Sequence, residues 1–236
     1  MAEPSPRALD PARDPARFIW ARPGQAGRAA LAAEFAALFI AIPVAIALFL
    51  PPTMLFRALF AFSVLGLILL WRTGGFDWRA LLRGWGRFDL RLFLGFAAFT
   101  FVASVAVMYA TRPESLFSFL RSNPRFLLLV WLLYPLLSAL PQELIFRVLF
   151  FHRYGRLFAG PRQAVLANAA IFSLAHLMYW NWIVIFFTFA GGLAFATGYL
   201  RRGLPWAWAL HAIAGNILFA VGMGIYFYSG NVVRPF

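Results

Sequence analysis

The sequence predicts an all-α protein, a polytopic transmembrane helical bundle of seven to eight spans. Two observations carry this. Of 236 residues, 63% are hydrophobic and only 12% are charged, about half the charged share of a soluble domain, which is roughly 25%. The apolar residues also fall in runs close to the ~20 residues that cross a bilayer, separated by proline, glycine and arginine. At that length per span the chain has room for one bundle and little else. Cysteine is absent, which excludes disulfides, thiol nucleophiles and thiolate metal sites.

The formal charge is +13, and all 21 basic residues are arginine. In a soluble chain such a balance would suggest nucleic acid. Here the arginines cluster beside hydrophobic runs, as basic loops on a cytoplasmic face do, so no nucleic-acid partner is expected and the lipid bilayer is the surrounding medium.

Residues 1–27 contain Pro4, Pro6, Pro11, Pro15 and Pro23 among charges, with no apolar stretch. This composition predicts a disordered cytoplasmic tail rather than a cleaved signal peptide, followed by a single transmembrane helical domain over 28–236. The first run covers about 29–50 and ends at Pro51-Pro52, and a second covers about 53–71. The basic stretch from Arg72 to Arg91 includes Trp78-Arg79-Ala80-Leu81-Leu82, a candidate interfacial helix with its indole at headgroup level. A third run spans about 92–110, and a mixed segment holds Pro113 and Pro124. A long helix from Arg125 to about Phe158 is interrupted by Pro135 and Pro141, and Gly160-Pro161 breaks it. The remaining runs lie at about 163–180, 182–200 and 204–228, the last divided near Gly222 and Gly224. No internal repeat is evident.

With the N-terminus inside, the inside loops are the tail, 72–91, 153–162 and Arg201-Arg202, which hold most of the basic charge. Arg57, Arg112, Arg121 and Arg125 are exceptions. The expectation is an integral protein of a bacterial inner membrane with its N-terminus in the cytoplasm.

Among the eight acidic residues, only Glu34 and Glu143 lie in hydrophobic runs. An ionisable side chain there costs roughly 2.5–3.5 kcal/mol on insertion scales and calls for a partner or a function. Glu34 is near the start of its run and within reach of the interface. Glu143 is deep, and Arg147 follows it by four residues, on one helix face with acid before base. A self-neutralising buried pair would explain that spacing alone. His176 and His211, each inside an apolar helix, make coincidence harder to sustain, whereas His152 adjoins the basic loop and reads as interfacial. Glu143 and His176 are about equally far, some 25 Å, from the Gly160-Pro161 turn, so an antiparallel hairpin sets them at one level. His211 and Asn216 fall within reach of the same depth.

Pro141-Gln142-Glu143-Leu144-Ile145-Phe146-Arg147 resembles the EExxxR motif of the CAAX prenyl protease / bacteriocin-processing (CPBP, or Abi) intramembrane peptidases. Phe172 through His176 matches that family's FxxxH, and His211 through Asn216 resembles its HxxxN. The similarity covers about 125–220, in the family's order. It implies a bundle of about eight helices that hydrolyses peptide bonds near the membrane. The implied substrate is a membrane protein or lipid-associated peptide. In two places the chain departs from the pattern. Gln142 stands where the family's first glutamate, often assigned as general base, would be. Gln142 and Glu143 point about 100° apart on an ideal helix. Asn216 follows His211 by five residues rather than four, and the fourth position is Gly215. A π-bulge at Gly215 would realign Asn216; otherwise it bonds another helix.

The resemblance makes Glu143 the general base and Arg147 its orienting partner. His176 and His211 would polarise the scissile carbonyl, as donors or through a zinc or other divalent ion. Asn216 would donate to the oxyanion, and Gln142 would orient substrate or water. A metal held by His176, His211 and Glu143 leaves no carboxylate base, so a metal is compatible with the set but not required by it. The competing class is a catalytically inactive relative acting as an immunity, scaffold or partner-binding protein, which Gln142 favours. A transporter would more often show paired half-repeats.

Overall fold

In hydrocarbon a spanning segment must satisfy its backbone groups internally, and each hydrophobic run of this chain accordingly becomes a helix. The computed structural model describes residues 27–228 and 232–234; apart from Gly27, the tail expected at 1–27 lies outside the described residues. The seven principal helices are α1 Arg28–Phe49, α2 Leu55–Trp71, α3 Leu90–Thr111, α4 Pro124–Leu157, α5 Pro161–Ala175, α6 Trp182–Arg202 and α7 Leu204–Val221. No strand occurs among the described residues. Phe60, Phe99 and Phe186 are 68%, 72% and 64% exposed on outer faces, a surface suited to lipid and not to water. The protein is an integral membrane protein.

Five of these helices are long and apolar enough to cross a membrane: α1, α3, α4, α6 and α7. Helix α2 has 17 residues and α5 has 15, about 25 and 22 Å of rise against a hydrocarbon core of ~30 Å. The seven to eight predicted spans therefore resolve into five full-length helices and two shorter ones. Helix α5 stops early because the His176 N–H bonds Ser173 O, tightening the last turn, and Trp180 turns the chain at φ 48°. Asn181 then caps α6, accepting from the Ile183 and Val184 N–H groups. Helix α7 ends at Gly222, whose φ of 104° only glycine adopts without strain, and a single turn follows at Gly224–Phe227.

The stretch Trp78–Leu82 is helical, as a 3-10 rather than an α-helix, and Trp78 and Leu82 are exposed. Asp89 caps α3 and pairs with Arg202 at 3.2 Å. The Leu92 N–H, and then Arg202, hold the Asp89 carboxyl below the usual carboxylate range.

Pro135 and Pro141 have no N–H to give, and α4 answers with π-helical turns at Pro135–Ala139 and Leu144–Tyr154. Such turns cluster at functional sites. Around this helix α5 packs along α6, α6 along α7, α7 against α3, and α2 against the second half of α4. Phe39, Phe146, Phe150, Phe151 and Phe172, all buried, fill the centre.

Near the arginine-rich end, Glu34 of α1 does more than reach the interface. It accepts from Arg153 Nε at 2.6 Å, Arg153 Nη2 at 2.8 Å and the Tyr154 hydroxyl, while Arg153 Nη1 donates to Thr73 Oγ1 at 3.0 Å. This network joins α1, the end of α2 and α4. Both charges are partly exposed, so screening limits their worth. Glu34→Ala should lower stability by about 1–2 kcal/mol, read as an earlier thermal unfolding transition in detergent micelles. A transition unchanged from wild type would show that the network holds nothing.

Candidate active site

The deepest carboxylate and the deepest guanidinium meet inside the bundle. Glu143 and Arg147 are both fully buried, and Glu143 Oε2 lies 3.3 Å from Arg147 Nε. Arg147 Nη1 donates to Asn168 Oδ1 on α5 at 2.7 Å, and the Asn168 amide donates back to the Phe146 carbonyl. The guanidinium lies over the Phe172 ring at 4.7 Å and the Phe195 ring at 5.6 Å, contacts that favour a desolvated cation. Glu143 Oε2, Arg147 Nε and Arg147 Nη2 are buried without a hydrogen-bond partner.

The other carboxylate oxygen faces α7. Glu143 Oε1 stands 2.8 Å from His211 Nδ1, which fixes the Nδ1–H tautomer and turns Nε2 away from the pair. The imidazole is clamped by rings: Phe195 stacks on it at 4.8 Å and 11°, and Phe172 meets it edge-on at 5.5 Å. His176 closes α5. Because its own N–H has gone to Ser173, the Phe172 carbonyl is free to bond His176 Nδ1 at 2.7 Å, a side-chain cap on the last turn. A carbonyl only accepts, so this nitrogen also carries the proton. Phe172 thus packs against both imidazoles, 4.7 Å from His176 and 5.5 Å from His211.

Both imidazoles, with Gln142, Ser138, Tyr134 and Tyr179, line a mostly apolar cavity of about 830 Å³. Glu143, Arg147 and Asn216 are not among its lining residues. Gln142 is on the wall, donating to Ser138 Oγ at 2.9 Å, while Glu143 stands behind His211. The expected base is therefore separated from the cavity by the histidine it orients. Asn216 is turned to α4: its amide donates to the Trp131 carbonyl at 3.2 Å, and Trp131 Nε1 donates to the Asn216 carbonyl at 3.0 Å. Helix α7 is regular through Gly215, with no π-bulge, so the five-residue spacing rotates Asn216 off the face of His211 and onto its neighbour.

The three-ligand metal set of His176, His211 and Glu143 does not form: among the described residues no group of three histidine, cysteine or acidic side chains is arranged to hold an ion. Glu143 Oε1 is committed to His211 and Oε2 faces Arg147. The donors that remain are the two Nε2 atoms, fewer than the three protein ligands of catalytic zinc sites.

Three contributors, Asn168, Tyr134 and Ser138, escaped sequence reasoning. Asn168 precedes Phe172 and His176 by four and eight residues, one face of α5. Tyr134, Ser138 and Gln142 repeat the same spacing on α4. Polar residues four apart in apolar helices are the signal that would have found them.

Buried charges held by aromatic rings around a membrane cavity define a polytopic membrane protein with an intramembrane site. Residues 124–227 match the family model described as Rce1-like, type II CAAX prenyl endopeptidase. The match covers less than half of the chain and agrees with the likeness to the CPBP peptidases over that segment. Neither the curated proteins nor the solved structures contain a match to the chain.

Asn168→Ala should remove the close acceptor of Arg147 Nη1 and leave that donor only a long contact, 3.4 Å, with the Phe146 carbonyl, at a cost of about 1–3 kcal/mol. Thermal unfolding in detergent reads this directly, and a transition coincident with wild type would show that Asn168 does not hold the arginine.

Proposed function

We propose that the chain is an intramembrane endopeptidase that hydrolyses a peptide bond of a membrane protein or lipid-associated peptide. The observation that carries this is His211, on the wall of a cavity that His176 also lines, paired at 2.8 Å with Glu143 behind it. His211 Nε2 is the general base and takes a proton from water. Buried Glu143 holds the ring in the Nδ1–H tautomer and stabilises the imidazolium that forms, as a carboxylate does for a catalytic histidine. His176 Nε2 accepts the water's second hydrogen and aligns its lone pair. The hydroxide adds to the carbonyl carbon, the C–N bond breaks, and the leaving nitrogen departs with the proton from His211. Arg147 is a positioning residue, acting through Glu143.

The cavity's lining supports a membrane-borne substrate. Phe56, Phe99, Leu133 and Phe186 contribute to its wall and are exposed on the outer surface, so the cavity communicates with the lipid-facing side. Leu55, Phe126, Met178 and Tyr228 line it from the helix ends remote from Arg79, Arg83, Arg156 and Arg202. With the arginine-rich face cytoplasmic and the N-terminus inside, in a bacterial inner membrane, the site is reached from the opposite face and laterally from lipid.

Gln142 favours a second reading. The cavity-facing position of the motif carries an amide, and an inactive relative that binds membrane peptides without cutting them would have that arrangement. Purified protein in lipid nanodiscs, assayed with a quenched fluorescent peptide, separates the two. The first reading expects wild type to cleave, His211→Ala and Glu143→Gln to lower kcat by about 10²–10⁴-fold, and a chelator to leave the rate unchanged. Wild type inert with Gln142→Glu active would establish the second.

A further inference from the structure

Hydrolysis of an amide requires hydrogen-bond donors where the carbonyl oxygen becomes an oxyanion, and the donors expected from sequence are engaged elsewhere. His176 and His211 carry their protons on Nδ1, bonded to the Phe172 carbonyl and to Glu143, so in the neutral rings each Nε2 accepts. The Asn216 amide is bonded to Trp131 on α4. Gln142 has given one N–H to Ser138. Phenols on the wall offer the open donors: Tyr179 stacks over His176, and Tyr134 is the one beside His211.

Its position is set by Gly215, one turn beyond His211. A Cβ at 215 would fall 2.0 Å from Tyr134 Cε1, 2.3 Å from Cζ and 2.5 Å from the hydroxyl oxygen. The phenol thus fills the volume into which a side chain one turn after His211 would project, and it fits only because residue 215 has none. The ring stands 6.1 Å from His211 and is held from the other side by Phe219 at 5.9 Å.

We propose that Tyr134 is a catalytic residue of this site, its O–H donating the oxyanion-stabilising hydrogen bond beside His211. The proposal rests on the hydrolytic reading above. As the water oxygen adds to the carbonyl carbon, its proton passes to His211 Nε2. The carbonyl π pair moves onto oxygen, which accepts from the Tyr134 O–H without proton transfer. The pair then returns, the C–N bond breaks, and the amine takes the proton from His211.

The test compares wild type, Tyr134→Phe and Gly215→Ala, as full chains in nanodiscs. It measures kcat and KM on a quenched peptide, and affinities for a non-cleavable reduced-amide peptide and for the matching peptide phosphinate, whose tetrahedral P–O⁻ mimics the intermediate. Tyr134→Phe, which keeps the ring, should lower kcat by about 10²–10³-fold with KM changed by no more than about threefold. It should weaken the phosphinate by the same factor as kcat and the reduced amide little. Gly215→Ala, which drives the ring away, should reproduce the pattern. Tyr134→Phe cleaving and binding as wild type overturns the proposal and leaves the hydrolytic reading standing. Equal weakening of both peptides means that the ring only packs, and also overturns it. Wild type that neither cleaves nor binds the phosphinate overturns the hydrolytic reading, and this proposal with it.

Discussion

A carboxylate buried in a membrane bundle has to be neutralised, and the centre of this protein is organised by that requirement at Glu143. Its charge is balanced by Arg147 one turn away. The guanidinium is a second desolvated charge, and it finds its own partners in Asn168 of α5 and the faces of Phe172 and Phe195. The other carboxylate oxygen draws in His211 of α7. One ionised side chain thus ties α4, α5 and α7 together through bonds that water cannot replace, and in a low dielectric such bonds are stronger than at a surface. Removing a partner leaves an uncompensated buried charge.

That arrangement divides the labour between what is behind the wall and what is on it. Both full charges lie behind, out of the cavity. What faces the cavity is two imidazoles, an amide and hydroxyl groups in an apolar lining. In the hydrolysis proposed above, a peptide bond entering such a space would be desolvated beside acceptors of fixed tautomer, with the electrostatic support for a developing imidazolium already in place. Positions 142 and 143 could not exchange roles, because adjacent helical residues point in different directions. Gln142 looks into the cavity, and Glu143 bonds the histidine.

Much of this was legible in the sequence. Hydrophobic runs gave the helices and their order, and proline and glycine gave most of the breaks. The acid-before-base spacing of Glu143 and Arg147 gave a pair that the fold does form. What escaped depends on contacts between helices. Nothing local says that α5 closes at Ala175 so that His176 caps it, or that α4 absorbs two prolines in π turns. Asn216 read as a site residue because it is polar and follows a histidine; its rotation onto Trp131 is a matter of one residue of spacing in a regular helix. Tyr134 and Asn168 were visible only as members of four-residue polar stripes, a pattern that gains meaning once the facing helix is known. Glu34 was legible as an interfacial acid, but its partner Arg153 is 119 residues away.

The two acid–arginine networks on α4 differ in a way that separates architecture from function. At the arginine-rich end, both oxygens of Glu34 are bonded, and Arg153 shares its donors between Glu34 and Thr73. That network is saturated and partly wet, as a clamp between helices should be. At Glu143 the carboxylate and the guanidinium are both dry, yet Oε2, Nε and Nη2 lack partners. Buried polar atoms are rarely left so in native structures, and each exception asks for a reason. A clamp would gain by closing these bonds, since both partners are one turn apart on the same helix. Keeping Glu143 drawn toward His211 sacrifices geometry in the Arg147 pair to secure the orientation of an imidazole on the cavity wall. That exchange makes sense where the imidazole's free nitrogen has work to do.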